Sequence, residues 1–237
     1  QFYSDYDNVS EGTGDQENPQ RSDYYGVEDE MKEESENRYS DIKQSFWNWI
    51  EEISKTEIEP KNMHFEKDAI FLSFNYTPTL ENVYDISSVL HIHGYIGDSN
   101  EEKLVFGHGE DSSEGEVPAF DEDGESNYSP VFDSQAASHA LFYYLKKPVK
   151  EIIDKNQSFF ESLKDVEKVV VLGHSLNDID MLYILKIKKC ISKKSSWLIV
   201  YYDNKDKERA KDAMNIIGCD KKQYELLTWD EYESIIN

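Results

Sequence analysis

From Lys168 to Ile236 the chain alternates short apolar runs with helix-length amphipathic stretches, and few folds accept that pattern. Strands are expected at 168–172, 197–202 and 223–227, with helices at 178–191, 204–217 and 229–236. Thr228 and Glu231 have the spacing of a capping box for the last helix. Strands that are apolar on both faces and alternate with helices imply an α/β fold. Its sheet should be mainly parallel, with helices on both faces.

A second strand–helix–strand unit lies upstream. Residues 69–75 read as a buried strand, Thr77 as the N-cap of a helix that begins at Pro78 and runs to Tyr84, and residues 88–93 as the next strand. Further elements are expected as a strand at 103–106 and as helices at 132–146 and 148–163. From Asn37, one helical face carries Ile42, Phe46, Trp49 or Ile50, and Ile53. These elements belong to one expected domain, 37–237.

The formal net charge of −24 is concentrated in two segments. Residues 1–36 carry a net of −10 and are expected to form an acidic, disordered tail or insertion. Residues 101–126 carry −9, and the stretch 107–130 reads as a long acidic loop. The rest of the chain is near −5, with no basic stripe for a phosphate backbone or an anionic membrane, so neither nucleic acid nor membrane is an expected partner. Cys190 and Cys219 are the only cysteines, too few for a disulfide framework or a four-cysteine zinc module. No secretory signal and no apolar run near 18 residues is found, so a cytoplasmic location is expected. The chain opens on Gln1 and is expected to be a fragment.

Polar residues gather where strands end. His93-Gly94, Gly107-His108-Gly109 and Gly173-His174-Ser175 all sit at expected strand C-termini, the edge at which open α/β sheets bind ligands. Asn75 leaves the strand before His93, either to tie down its turn or to orient a water or hydroxyl. His91 and His93 are two apart on an expected strand and so should point to one side. With His108 and an acid such as Asp180 they could form the metal site of a hydrolase or nuclease. Ser175 should lie at a helix N-terminus, suited to an anion or a ribose. Asp203 ends the next strand, where it either binds ribose or caps a helix.

Four motifs occur in order: Phe71-Leu-Ser-Phe-Asn75-Tyr-Thr-Pro-Thr-Leu-Glu81, His91-Ile-His-Gly94, Val105-Phe-Gly-His-Gly109 and Gly173-His-Ser-Leu-Asn-Asp-Ile-Asp180. Together they resemble the abortive-infection AbiH family of bacterial anti-phage proteins over residues 39–237. More distantly, the chain is similar to sirtuin-like NAD-binding domains. The resemblance implies a Rossmann-like, sirtuin-like sheet, a role in phage defence, and NAD as ligand or as the substrate of a glycohydrolase. It would make His93 the general base acting on ribose and Asn75 the group that positions the attacking water. Thr77, Gly94, Gly173, His174, Ser175 and Asp203 would bind the cofactor. A phage-derived trigger protein and a second copy of the chain are the expected macromolecular partners. The glycine-rich phosphate loop with which these families begin is not found, and Thr77 stands where sirtuins have aspartate. A non-enzymatic, nucleotide-sensing interaction module is the remaining alternative.

Overall fold

The computed structural model describes residues 27–61, 63, 65–97, 104–109 and 139–236. Two compact units are present. The first unit, 1–48 with 110–146, contains most of a long helix α1 (Val27–Ser54) and the short helix α3 (Ala140–Tyr144). There the Tyr144 hydroxyl donates to Glu36 at 3.2 Å, and its ring lies 5.8 Å from Tyr39. Helix α1 begins at Val27, ten residues before the expected start at Asn37. Of the expected apolar face only Ile50 is buried, while Trp49 is 56% exposed. Adjacent helical residues differ by about 100°, so only one of the pair can face inward.

The second unit, 49–109 with 147–237, holds the sheets. Strands β1 (Phe71–Ser73) and β2 (Val89–His91) flank helix α2 (Thr79–Tyr84) and pair in parallel, Ser73 opposite His91. Helices α4 (Val149–Lys155) and α5 (Gln157–Ser162) are followed by β3 (Lys168–Leu172), α6 (Met181–Cys190), β4 (Ser196–Tyr201), α7 (Asn204–Ile216), β5 (Tyr224–Thr228) and α8 (Trp229–Ile236). Strands β3, β4 and β5 form a parallel sheet in that order. The parallel α/β organisation is as the alternation implied. Among the described residues, however, the strands form two short sheets of two and three strands.

Strand β4 shows why helices cover both faces. Trp197 and Ile199 join one apolar cluster with Phe160, Tyr183, Ile184, Ala213 and Met214, whereas Leu198 and Val200 join another with Leu227 and Tyr232. Side chains alternate along a strand, so one buried strand feeds two cores. The first core is the larger, collecting residues of α4, α5, α6 and α7 together with Leu72, Phe74 and Leu90 from around β1 and β2. The second rests mainly on α8.

Several boundaries differ from expectation. Pro78 is the cap of α2 rather than its first residue, and Thr77 lies outside, its Oγ1 2.9 Å from Thr79 Oγ1. Residues 104–106 form no strand, because Val105 contributes one bond to the His93 carbonyl and no ladder follows. The helix expected over 148–163 is two short helices that meet at Asn156. Residues 1–26 of the acidic tail, 110–130 of the acidic loop and 132–138 of an expected helix lie outside the described residues. Among those described, no helix is long and apolar enough to cross a membrane.

The capping box of α8 is present: Glu231 N–H donates to Thr228 Oγ1 at 3.2 Å, and Thr228 N–H to Glu231 Oε2 at 2.8 Å. Thr228→Ala should therefore cost about 1 kcal/mol in urea unfolding. Ile199→Ala, at a side chain 1% exposed in the larger core, should cost roughly 2–5 kcal/mol.

Candidate functional site

The turn after β3 is built from uncommon backbone. Gly173 has φ 65° and Leu176 φ 51°, both left-handed, and Leu176 is a buried non-glycine residue. The Leu176 N–H donates to His174 Nδ1 at 3.0 Å. His174 Nδ1 therefore carries no hydrogen, and the ring's proton sits on Nε2, 3.5 Å from Asp180 Oδ2. A 3-10 turn, Asp178–Asp180, completes the reversal and delivers Asp180 inward.

The turn after β2 delivers His93 to the same place. Gly94, with φ 77°, donates its N–H to the His91 carbonyl, and Val105 N–H donates to that of His93. The His93 side chain is 2% exposed. One ring nitrogen bonds the backbone of Phe74, and the other, Nε2, is buried and has no hydrogen-bond partner. It lies 3.7 Å from Asp180 Oδ1, also buried and also without a hydrogen-bond partner. The third turn packs alongside: Gly109 abuts the Ile179 main chain so closely that an added Cβ would lie 3.2 Å from Ile179 Cα. Lys147, whose N–H donates to the His108 carbonyl, places Nζ 3.6 Å from Asp180 Oδ1. The three glycine turns thus converge on Asp180, two of them from strand ends as expected and the third, at 107–109, without a strand before it.

The rings of Phe74, Tyr76 and Tyr183 wall this cluster, Phe74 lying 4.2 Å from the His174 ring and 5.5 Å from that of His93. Burial, then the Lys147 charge, push the His93 pKa down to about 4 against a partial upward pull from Asp180. Burial pushes the Asp180 carboxyl up, but the His174 hydrogen bond and the Lys147 charge outweigh it and hold the group below the usual carboxylate range. Burial and the Asp180 charge push the Tyr183 hydroxyl up, so it stays protonated, and it has no hydrogen-bond partner among the described residues. The result is an aromatic-walled, largely buried polar cluster. It holds a neutral imidazole acceptor, a carboxylate acceptor and a balancing ammonium.

The other expected site residues take varied positions. Asn75 is exposed, its main chain held by Ser73 and His91. Gly173 is exposed, with open space where a Cβ would be, and Ser175 is half-buried in the loop to Asp178. Asp203 caps α7, accepting from Asp206 N–H at 2.8 Å. His91 and His93 do not share a side. β2 ends at His91 and His93 lies in the following turn, so strand alternation does not extend to it. His91 instead contacts Asn75 and Glu81, and among the described residues no three His, Cys, Asp or Glu side chains are placed to hold a metal ion. Lys147 gave no signal in the sequence, since a lysine before a proline reads as a solvated turn. Tyr183 gave no signal either, since its ring belongs to the apolar core and only its hydroxyl brings a polar group to the cluster.

A family model described as "Bacteriophage abortive infection AbiH" matches residues 1–202. No curated protein and no solved structure matches the chain.

The His93 environment sets a pH dependence. On acidification the unfolded chain takes up the His93 proton near its ordinary 6.5, whereas the folded chain resists until about 4. Stability contributed by neutral His93 is therefore complete above about pH 6.5 and is lost as pH falls from there to 4. Asp180, held low, loses its contribution in the same direction through the carboxylate range. Unfolding free energy measured against pH should fall over this window. His93→Gln should flatten the 6.5–4 portion by roughly 3 kcal/mol.

Proposed function

Because the chain belongs to the bacteriophage abortive infection AbiH family, we propose that it is a phage-defence protein whose crevice around His93 and Asp180 binds NAD and hydrolyses its nicotinamide–ribose bond. The observation that carries this reading is the pair of buried acceptors His93 Nε2 and Asp180 Oδ1, 3.7 Å apart and neither of them hydrogen-bonded, with the Lys147 ammonium paired to Oδ1 at 3.6 Å. Two buried acceptors so close together call for a shared donor, and a water or a ribose hydroxyl set to one side of the pair has the chemistry to supply it.

Water bonds to the ribose carbon as the carbon–nitrogen bond breaks, and nicotinamide leaves with the electron pair. The water's proton passes to His93 Nε2. His93 is available as an acceptor because burial keeps it neutral. The Asp180 carboxylate offsets both the imidazolium that forms and the positive charge that develops on the ribose. Asp178 and Asp180 at the start of the post-β3 helical segment favour ribose hydroxyls over a phosphate at this point. Parallel strands whose C-terminal ends converge on the crevice support a Rossmann-like arrangement. Asn75, Thr77, Gly94, Gly173, His174 and Ser175 would border the bound nucleotide, and a phage component in the cytoplasm would trigger the reaction.

Nicotinamide release from NAD, followed with and without lysate of phage-infected cells, tests the reading. Wild type should turn over, and His93→Gln and Asp180→Asn should each lose about 100-fold or more. A wild type that neither binds nor cleaves NAD in either condition refutes NAD as the ligand. Phage protection that survives His93→Gln refutes this crevice as the functional site.

A further inference from the structure

Asn75 is exposed beyond the end of β1, yet its main chain is held on both sides by side chains. Its N–H donates to Ser73 Oγ at 3.2 Å, and its carbonyl accepts from His91 Nδ1 at 3.0 Å. Ser73 and His91 are paired residues on the last rung shared by β1 and β2, so the brace begins where the sheet stops. The other His91 nitrogen, Nε2, lies 2.8 Å from Glu81 Oε1 on α2. The His91 side chain is 3% exposed, with the Tyr95 ring 4.4 Å away.

A carbonyl only accepts, so His91 Nδ1 bears a hydrogen. A 2.8 Å contact between Nε2 and a carboxylate oxygen also needs a proton in the bond, whichever partner owns it. Glu81 thereby holds the His91 ring in the orientation from which Nδ1 donates to the Asn75 carbonyl.

We propose that Glu81, His91 and Ser73 form a brace that fixes the Asn75 backbone and so aims its amide into the crevice, making His91 and Glu81 positioning residues for the reaction. This rests on the reading of Asn75 as the group that orients the attacking water. An amide on an unbraced loop would sample several placements, and an ångström of error can cost a hundredfold in rate.

The test compares His91→Leu, which cannot donate, with His91→Asn, whose amide N–H can reach the same carbonyl. With NAD as substrate, His91→Leu should lose about 100-fold in kcat while KM stays within about threefold, and His91→Asn should recover about tenfold. Glu81→Gln should retain more activity than Glu81→Ala, and this pair carries the test if His91→Leu does not fold. A second readout is independent of NAD. The Asn75 side-chain amide should give one sharp pair of NMR signals in wild type, shifted or broadened in His91→Leu and restored in His91→Asn. An Asn75 pair that is unchanged in His91→Leu, or a His91→Asn variant as impaired as His91→Leu, overturns the brace. Signals that respond as expected in a protein that does not cleave NAD uphold the brace and overturn only the substrate.

Discussion

The site depends on one half-buried carboxylate. Asp180 is drawn out of water among Lys147, His174 and His93, and an ion so placed costs several kcal/mol unless its surroundings compensate it. The compensation comes from three stretches of chain far apart in sequence: the turn after β2, the turn after β3 and the segment leading into α4. Moving any one of them would leave a charge inside the molecule without its partner. The turns are therefore held in mutual register by electrostatics as well as by the apolar core beneath them. Contacts of 3.5–3.7 Å are also longer than good hydrogen bonds, so the carboxylate is gathered in without being saturated.

Two histidines in the same short motif end up in different surroundings. His93 is beyond the strand, neutral, and has one bare nitrogen. His91, on the last strand position, is in contact with acceptors at both nitrogens. The difference comes from where β2 stops. Two more residues of strand would have turned both rings to the same face and produced a different site.

That stopping point marks the limit of what the sequence revealed. The strands around β4, the parallel pairing and the cap of α8 were legible because they follow from local periodicity and one side-chain spacing. The meeting of the turns after β2 and β3 followed from the rule that parallel strands end on one edge, whereas the turn at 107–109 joins them without ending a strand. Lys147 and the Asp180–His93 pairing were not legible, since they depend on distances across the fold that no local pattern encodes. Trp49 and Ile50 were ambiguous in sequence because a helical face has fuzzy borders, and burial chose Ile50. The alternation that placed His91 and His93 together failed because it was carried past the end of the strand.

Leu176 shows what such a loop demands of a single position. Its left-handed backbone costs about 1–2 kcal/mol for any residue with a Cβ, while burying its side chain contributes about 2 kcal/mol in return. Glycine would relax the backbone and forfeit the burial, a β-branched residue would worsen the strain, and a polar one would strand its atoms in the core. Substitution tolerance should thus be narrowest at a leucine that touches no reacting group. A comparison of related sequences would find this position almost as constrained as the machinery it supports, for reasons that have nothing to do with chemistry.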